Sequence, residues 1–199
     1  YHWSHADAVA ADPILQHKAA YLNVPFFLGR ALGYFVLWSG LALFLVRLAE
    51  RYDRTLSLKA LRKLKTFSGF GLAGYVLTMS FAAFDWGMSL APHWFSTIYG
   101  VLFIVGAALS ALSFTIVLLA RLAAEEPFTK VLQPVTVHDL GKLLLAFTML
   151  WGYVNFSQFL IIWSGNLPEE TTWYLDRSKG GWRQLTYLLV GLHFFLPFF

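Results

Sequence analysis

Asp85 and His93 stand eight positions apart in FDWGMSLAPHWFSTIYG, residues 84–100, a stretch otherwise rich in apolar and aromatic side chains. A carboxylate and an imidazole are proton acceptors that work near neutral pH. A quinone head group needs a hydrogen-bonding partner at each carbonyl and an aromatic or apolar slot for its ring. Asp85 and His93 are candidates for that partnership and for the catalytic proton transfer. Trp86, Trp94 and Tyr99 are the candidate neighbours of the ring, and Phe95 adds to the frame. Pro92 is poor inside a helix and good at the start of one. One helix is therefore expected to end near Met88 or Ser89 and the next to begin around His93. The two titratable groups then approach each other across a tight hairpin. A plainer reading fits the same residues, in which the pair only ties the hairpin.

The elements that must position them are membrane helices. Of 199 residues, 58% are hydrophobic and 13% charged, where soluble domains run nearer a quarter charged. A spanning helix needs about 20 apolar residues. Five segments meet or approach that length, about 25–48, 67–89, 93–122, 139–163 and 185–199. No strand-like alternation suggests a barrel. The expected fold is an all-α, polytopic transmembrane bundle, one membrane domain over 1–199. The missing initial Met and the final apolar run LVGLHFFLPFF read as a piece of a longer chain.

Charge sets the expected orientation. Residues 47–65, RLAERYDRTLSLKALRKLK, hold seven Lys or Arg, and Arg121, Lys130 and Lys142 join them on that side. The other side has Lys18, Arg30, Arg177, Lys179 and Arg183. The positive-inside rule puts 47–65 in the cytoplasm and 84–95 and 164–184 outside, in the periplasm of a bacterial inner membrane. The segment 166–177 reads as a short interfacial helix, with Asn166 and Glu169 as a weak capping box and Pro168 in its first turn. Trp173 and Tyr174 suit the headgroup level.

Polar groups inside a membrane usually face the bundle interior. Gly71, Tyr75, Thr78, Ala82 and Asp85 recur at helical spacing and share one face. Gly106, Ser110 and Ser113 repeat the idea. His138, Asp139 and Lys142 lie at one end of the fourth span, and Tyr153, Ser157 and Gln158 nearer the other. Tyr75, Thr78, Ser110, Tyr153, Ser157, His138, Asp139 and Lys142 are candidates for a proton path. Small and hydroxyl residues at this spacing also serve plain helix packing. His138, Asp139 and Lys142 also read as solvated cap residues. His193 is expected to face protein, and Pro197 to kink its helix.

Other chemistries find little here. The chain has no cysteine, so it offers no disulfide framework, thiolate nucleophile or cysteine-ligated cluster. No P-loop, metalloprotease helix or membrane serine-protease site stands out, and no metal site is expected. His93 and His138 lie at opposite membrane edges, too far apart to share a haem. The sequence pI near 9.4 reflects a basic loop beside a membrane rather than nucleic-acid binding.

The phrases FDWGMSLAPHWFSTIYG, HDLGKLLLAFTMLWGYVNFSQFLIIWSGNLPEETTWY and YHWSHADAVAADPILQHKAAYLNVPFF resemble the NrfD-like membrane subunits of alternative complex III, the quinol:cytochrome c oxidoreductases, and the ActF type above all. Polysulfide reductase membrane subunits are similar in architecture. The resemblance covers nearly the whole chain. It implies two four-helix bundles with extra helices, in a respiratory electron-transfer assembly. It implies menaquinone or another quinone as the ligand. It implies that this chain binds no haem or iron–sulfur cluster. The expected partners are a paralogous NrfD-like subunit, an iron–sulfur subunit and c-type haem subunits, with lipids around them. In the paralogue an aspartate and a histidine flank the same hairpin, and Asp85 and His93 match those positions.

The sequence thus reads as a membrane subunit of a respiratory quinol-oxidising complex, not catalytic in isolation, contributing a quinone site, a proton path or both. Two rivals stand beside it, a purely structural scaffold and a secondary transporter with a midplane cavity.

Overall fold

The computed structural model describes residues 1–126 and 128–198, with Lys130 and Val131 described by their backbone alone. Phe199, the expected end of the fifth span, and the Lys130 side chain, used above for orientation, lie outside the described residues. Among those described, all regular structure is helical. Four helices are long and apolar enough to cross a membrane. The contacts cluster into two compact units, Tyr1–Phe95 and Ser96–Phe199, taken here one at a time.

The first unit begins with a 3-10 turn at His2–Ser4 and two short helices, α1 (Ala6–Ala11) and α2 (Pro13–Lys18). The long helices α3 (Val24–Thr55) and α4 (Leu58–Trp86) follow as a hairpin. Asn23 caps α3 by accepting from the Phe26 amide at 3.0 Å, and Pro25 stands in the first turn, where its missing N–H costs nothing. Leu56 ends α3 in the left-handed region, φ 46°. Only Leu56 and Ser57 separate the helices, so the basic segment 47–65 is almost entirely helical rather than a loop. The good helix formers Leu, Lys, Arg and Ala that fill it explain this.

The shared face of α4 packs on α3. A Cβ at Gly71 would sit 2.7 Å from Leu41 Cδ1. Thr78 Oγ1 accepts a hydrogen bond from Trp38 Nε1 at 2.9 Å. The Tyr75 and Trp38 rings lie 5.7 Å apart, and Ala82 is wholly buried. Small residues here let two helices approach closely. Gly71→Val is therefore expected to destabilise the hairpin by about 1–3 kcal/mol through overpacking, read as lower thermal stability of the purified chain. Gly74→Ala, where a Cβ meets open space, is the control expected to change little.

The second unit holds α5 (Tyr99–Leu122), α6 (Phe128–Val131), α7 (Pro134–Gly165), α8 (Pro168–Arg177) and α9 (Gly180–Leu188). The third span thus starts at Tyr99, not around His93, and Pro92 sits in a turn. α5 packs on α7, with Val105 and Leu109 of one and Val154, Gln158 and Ile162 of the other buried. Asn166 ends α7 in the left-handed region, φ 47°, a conformation Asn tolerates better than most residues. It does not cap α8, whose N-cap is Leu167; Pro168 does open that helix. The expected fifth span is not among the four long apolar helices: its described residues fall in the end of α9, a π segment Leu189–Phe195 and a 3-10 turn Leu196–Phe198. Pro197 cannot donate back into the helix, and the helical pattern changes just before it. His193 lies against the Trp151 ring, centroids 4.5 Å apart.

Candidate functional site

Among the described residues, Asp85 is the largest side chain that is essentially sealed from solvent, at 1% exposure. It is the next-to-last residue of α4, and Arg30 lies in the second turn of α3. An antiparallel hairpin brings these two ends to one level. Arg30 Nε donates to Asp85 Oδ2 at 2.8 Å, and Arg30 Nη2 to Oδ1 at 2.9 Å. This is the two-pronged pairing that suits a guanidinium and a carboxylate. The Tyr34 hydroxyl, one turn on from Arg30, donates to Oδ2 at 2.8 Å. Both carboxylate oxygens are thus engaged.

Arg30 is held from three further directions. Its Nη1 donates to the Tyr21 carbonyl at 3.0 Å. Its guanidinium carbon lies 3.9 Å from the Tyr21 ring centre and 4.3 Å from that of Phe26, close enough for cation–π attraction. Tyr21 stands before the first span. Burial pushes its phenol up to about 12, and the Asp85 carboxylate beside it adds to the rise. Aromatic rings wall the pair. Trp86 meets Tyr34 and Trp38 edge-on and stacks on Phe35 at 5.6 Å.

His93 does not join this cluster. Its Nε2 lies 2.5 Å from Asp12 Oδ2, and its side chain is 57% exposed. Asp12 also caps α2 by accepting from the amides of Ile14, 2.9 Å, and Leu15, 3.4 Å. Residues 1–23 thereby fasten onto the 87–95 segment. Trp3 Nε1 donates to the Ser89 carbonyl at 3.2 Å, and Lys18 Nζ to the Pro92 carbonyl at 2.6 Å. Ser89 Oγ bonds back to the Asp85 carbonyl. Trp3, Leu15 and Leu22 form a buried core beneath, with Val9 and Phe27 against it.

The expected approach of Asp85 and His93 across a hairpin is therefore not what the geometry contains. Asp85 bonds to α3, and His93 to the N-terminal cap. The physical reason is electrostatic. The Arg30 guanidinium, in the second turn of α3, satisfies the carboxylate with two charge-assisted bonds, whereas an exposed imidazole offers one.

Desolvation is the largest single influence on Asp12 and opposes ionisation, but the Ile14 amide, His93 and the Leu15 amide together outweigh it and hold its carboxyl below its ordinary value. A carboxylate with a lowered folded pKa adds stability that is complete above its unfolded value and fades as pH falls through the folded one. Docking of the cap is thus expected to weaken only below about pH 3.8. Amide exchange of α2 measured down an acid series checks this. Asp12→Asn keeps the cap but removes the charge facing His93, and should remove the acid dependence.

The other candidates are dispersed. Trp86 lies beside Asp85, as above, and Trp94 is buried in the first unit. Tyr99 belongs to the second unit, where its ring meets Phe103 at 5.0 Å and Trp173 at 5.8 Å. Of the proton-path candidates, Tyr75 and Thr78 lie in the first unit against Trp38. Ser110 bonds back to the Gly106 carbonyl. His138 is exposed, as are Asp139 and Lys142, whose charged atoms are 3.7 Å apart. Tyr153 is 68% exposed. Ser157 is half-buried, beside Gln158, whose Nε2 donates to Ser96 Oγ at 3.1 Å. No group of three or more metal-ligating side chains occurs among the described residues.

Arg30, Tyr34, Asp12 and Trp3 are the residues that sequence reasoning missed. No protein-family model matches this chain, and no curated protein matches it.

Proposed function

We propose that this chain is an integral membrane subunit of a quinol-oxidising electron-transfer complex, of the kind its segments resemble. Within it, the Arg30–Asp85–Tyr34 cluster acts as a clamp on the first membrane hairpin. The observation that carries the clamp reading is the saturation of Asp85: three donors from α3 occupy its two oxygens at 1% exposure. Two surface cavities among the described residues, one beside Trp38 and Gly71 and one beside Trp3 and Leu22, are lined by neither Asp85 nor His93. The rings beside the carboxylate pack on one another, Trp86 edge-on to Tyr34 and stacked on Phe35. Asp85 and His93 each spend their hydrogen bonds on different partners, Arg30 and Tyr34 for one and Asp12 for the other, which favours the clamp over a shared quinone site. The membership in a respiratory complex rests on the quoted segments, and the proposed partners are those the resemblance implies.

A second reading has one observation in its favour. A carboxylate buried near the end of a spanning hairpin is costly to keep, and such groups commonly carry protons or bind substrate. Quinol oxidation by the intact complex separates the readings, with Asp85→Asn and His93→Ala measured separately and assembly followed by subunit content. The clamp reading expects Asp85→Asn to lower the content of this subunit. It expects His93→Ala to assemble and turn over as before. Full assembly with slowed turnover, or a shifted pH profile, in either variant would favour the quinone and proton reading instead.

A further inference from the structure

The turn between α3 and α4 carries charge that the clamp does not use. Arg47, Arg51, Arg54, Lys59, Arg62, Lys63 and Lys65 are all exposed, against Glu50 and Asp53 as the only acids in the same stretch. Among the described residues, none of the seven is in an ion pair. Arg47, Arg51 and Arg54 are spaced by four and three and share a face of α3; Arg62 and Lys63 stand three and four positions after Lys59 and share a face of α4 with it. Both helices run unbroken out of their apolar spans into this region. The cations therefore begin where the apolar stretches of the two helices end, at Arg47 and Lys65. The nine residues 47–55 rise roughly 13 Å, at about 1.5 Å each. They cross the headgroup layer and end within about a Debye length of it.

From this placement we propose that the α3–α4 turn is a binding surface for anionic phospholipid headgroups of the membrane the chain spans. Long Lys and Arg stems lie along the apolar boundary and hold their charged ends at phosphate level. Helical spacing on two adjacent helices presents several cations at once, so that anionic lipids gather beneath the turn. This inference needs only the spanning hairpin and is independent of any redox role.

The test uses the intact protein in phosphatidylcholine vesicles, with spin-labelled phosphatidylglycerol or spin-labelled phosphatidylcholine as the probe. The ratio of motionally restricted probe reports lipid preference. Phosphatidylglycerol is expected to be favoured by about threefold at low salt, since each cation near such a surface contributes substantially to binding. The preference should fall toward one in roughly 0.5 M salt, where the Debye length is only a few ångströms. It should also fall in the combined R51Q, R54Q, R62Q and K63Q variant, and persist in K179Q with R183Q. The salt titration of the unaltered protein stands even if the fourfold variant folds poorly. Equal restriction of the two probes, a preference insensitive to salt, or a preference retained in the folded fourfold variant would overturn the proposal. So would a variant that keeps its lipid preference and instead sheds partner subunits, which would assign the turn to an acidic protein surface.

Discussion

Replacing Asp85 with alanine is expected to destabilise the first membrane hairpin by about 3–5 kcal/mol, the usual result of stranding one member of a buried ion pair. Arg30 would keep its charge with its two strongest acceptors gone. Its remaining Tyr21 carbonyl and ring contacts cannot replace a carboxylate. Tyr34 would lose its acceptor as well. Loss of thermal stability in a lipid-containing micelle, relative to the unaltered chain, measures the effect. Removing both charges together, as Arg30→Met with Asp85→Leu, should recover much of it, because two apolar side chains of similar size leave no buried charge unpaired. A single variant as stable as the parent would mean that water or another group already serves Arg30.

Trp3→Ala is expected to free the N-terminal cap while leaving the hairpin formed. Trp3 is 4% exposed and packs within Leu15, Leu22 and Phe27. Emptying a buried aromatic site of this kind costs about 3–5 kcal/mol. The indole bond to the Ser89 carbonyl is lost with it, roughly a further 1 kcal/mol. Amide exchange should rise throughout α1 and α2 and stay slow within α3 and α4. Uniform loss of protection across all four would instead make the cap part of the hairpin's own folding unit.

Much of the architecture was readable because membrane spans are long and uniformly apolar. The first and fourth segments fall within α3 and α7, and the second and third overlap α4 and α5. Their ends were harder. Segment 47–65 looks like a loop from its charge, yet its residues favour helix and the turn takes two residues. Pro92 suggests a helix start by local rules, but Trp3, Asp12 and Lys18 bond to Ser89, His93 and Pro92 and hold this segment as a turn. Those contacts span some 70–90 positions, beyond any local pattern. Asn166 has the chemistry of an N-cap and is used instead for its tolerance of positive φ.

At the site, Asp85 was legible as an unusual carboxylate in an apolar helix. Its partner was legible too, with a different question. Arg30 is a lone cation in VPFFLGRALGYF, and an isolated charge there needs an opposite one at the same depth. Two antiparallel spans joined by a short turn bring Arg30 and Asp85 to the same end. Counting Arg30 only toward membrane orientation hid that match, and proximity in sequence drew His93 into its place. Asp12 was readable as the cap of α2 from the Asp–Pro pair, but its contact with His93 depends on the docking of the whole N-terminal segment.

The most direct test of the clamp is a double-mutant cycle on Arg30 and Asp85, using Arg30→Met, Asp85→Leu and the two combined, with unfolding free energy measured in the same lipid-containing micelle. A clamp predicts that the double variant is more stable than the sum of the single losses implies, with a coupling of about 1.5 kcal/mol or more. Single losses that simply add, to within roughly 0.5 kcal/mol, would contradict it and leave Asp85 free for another role.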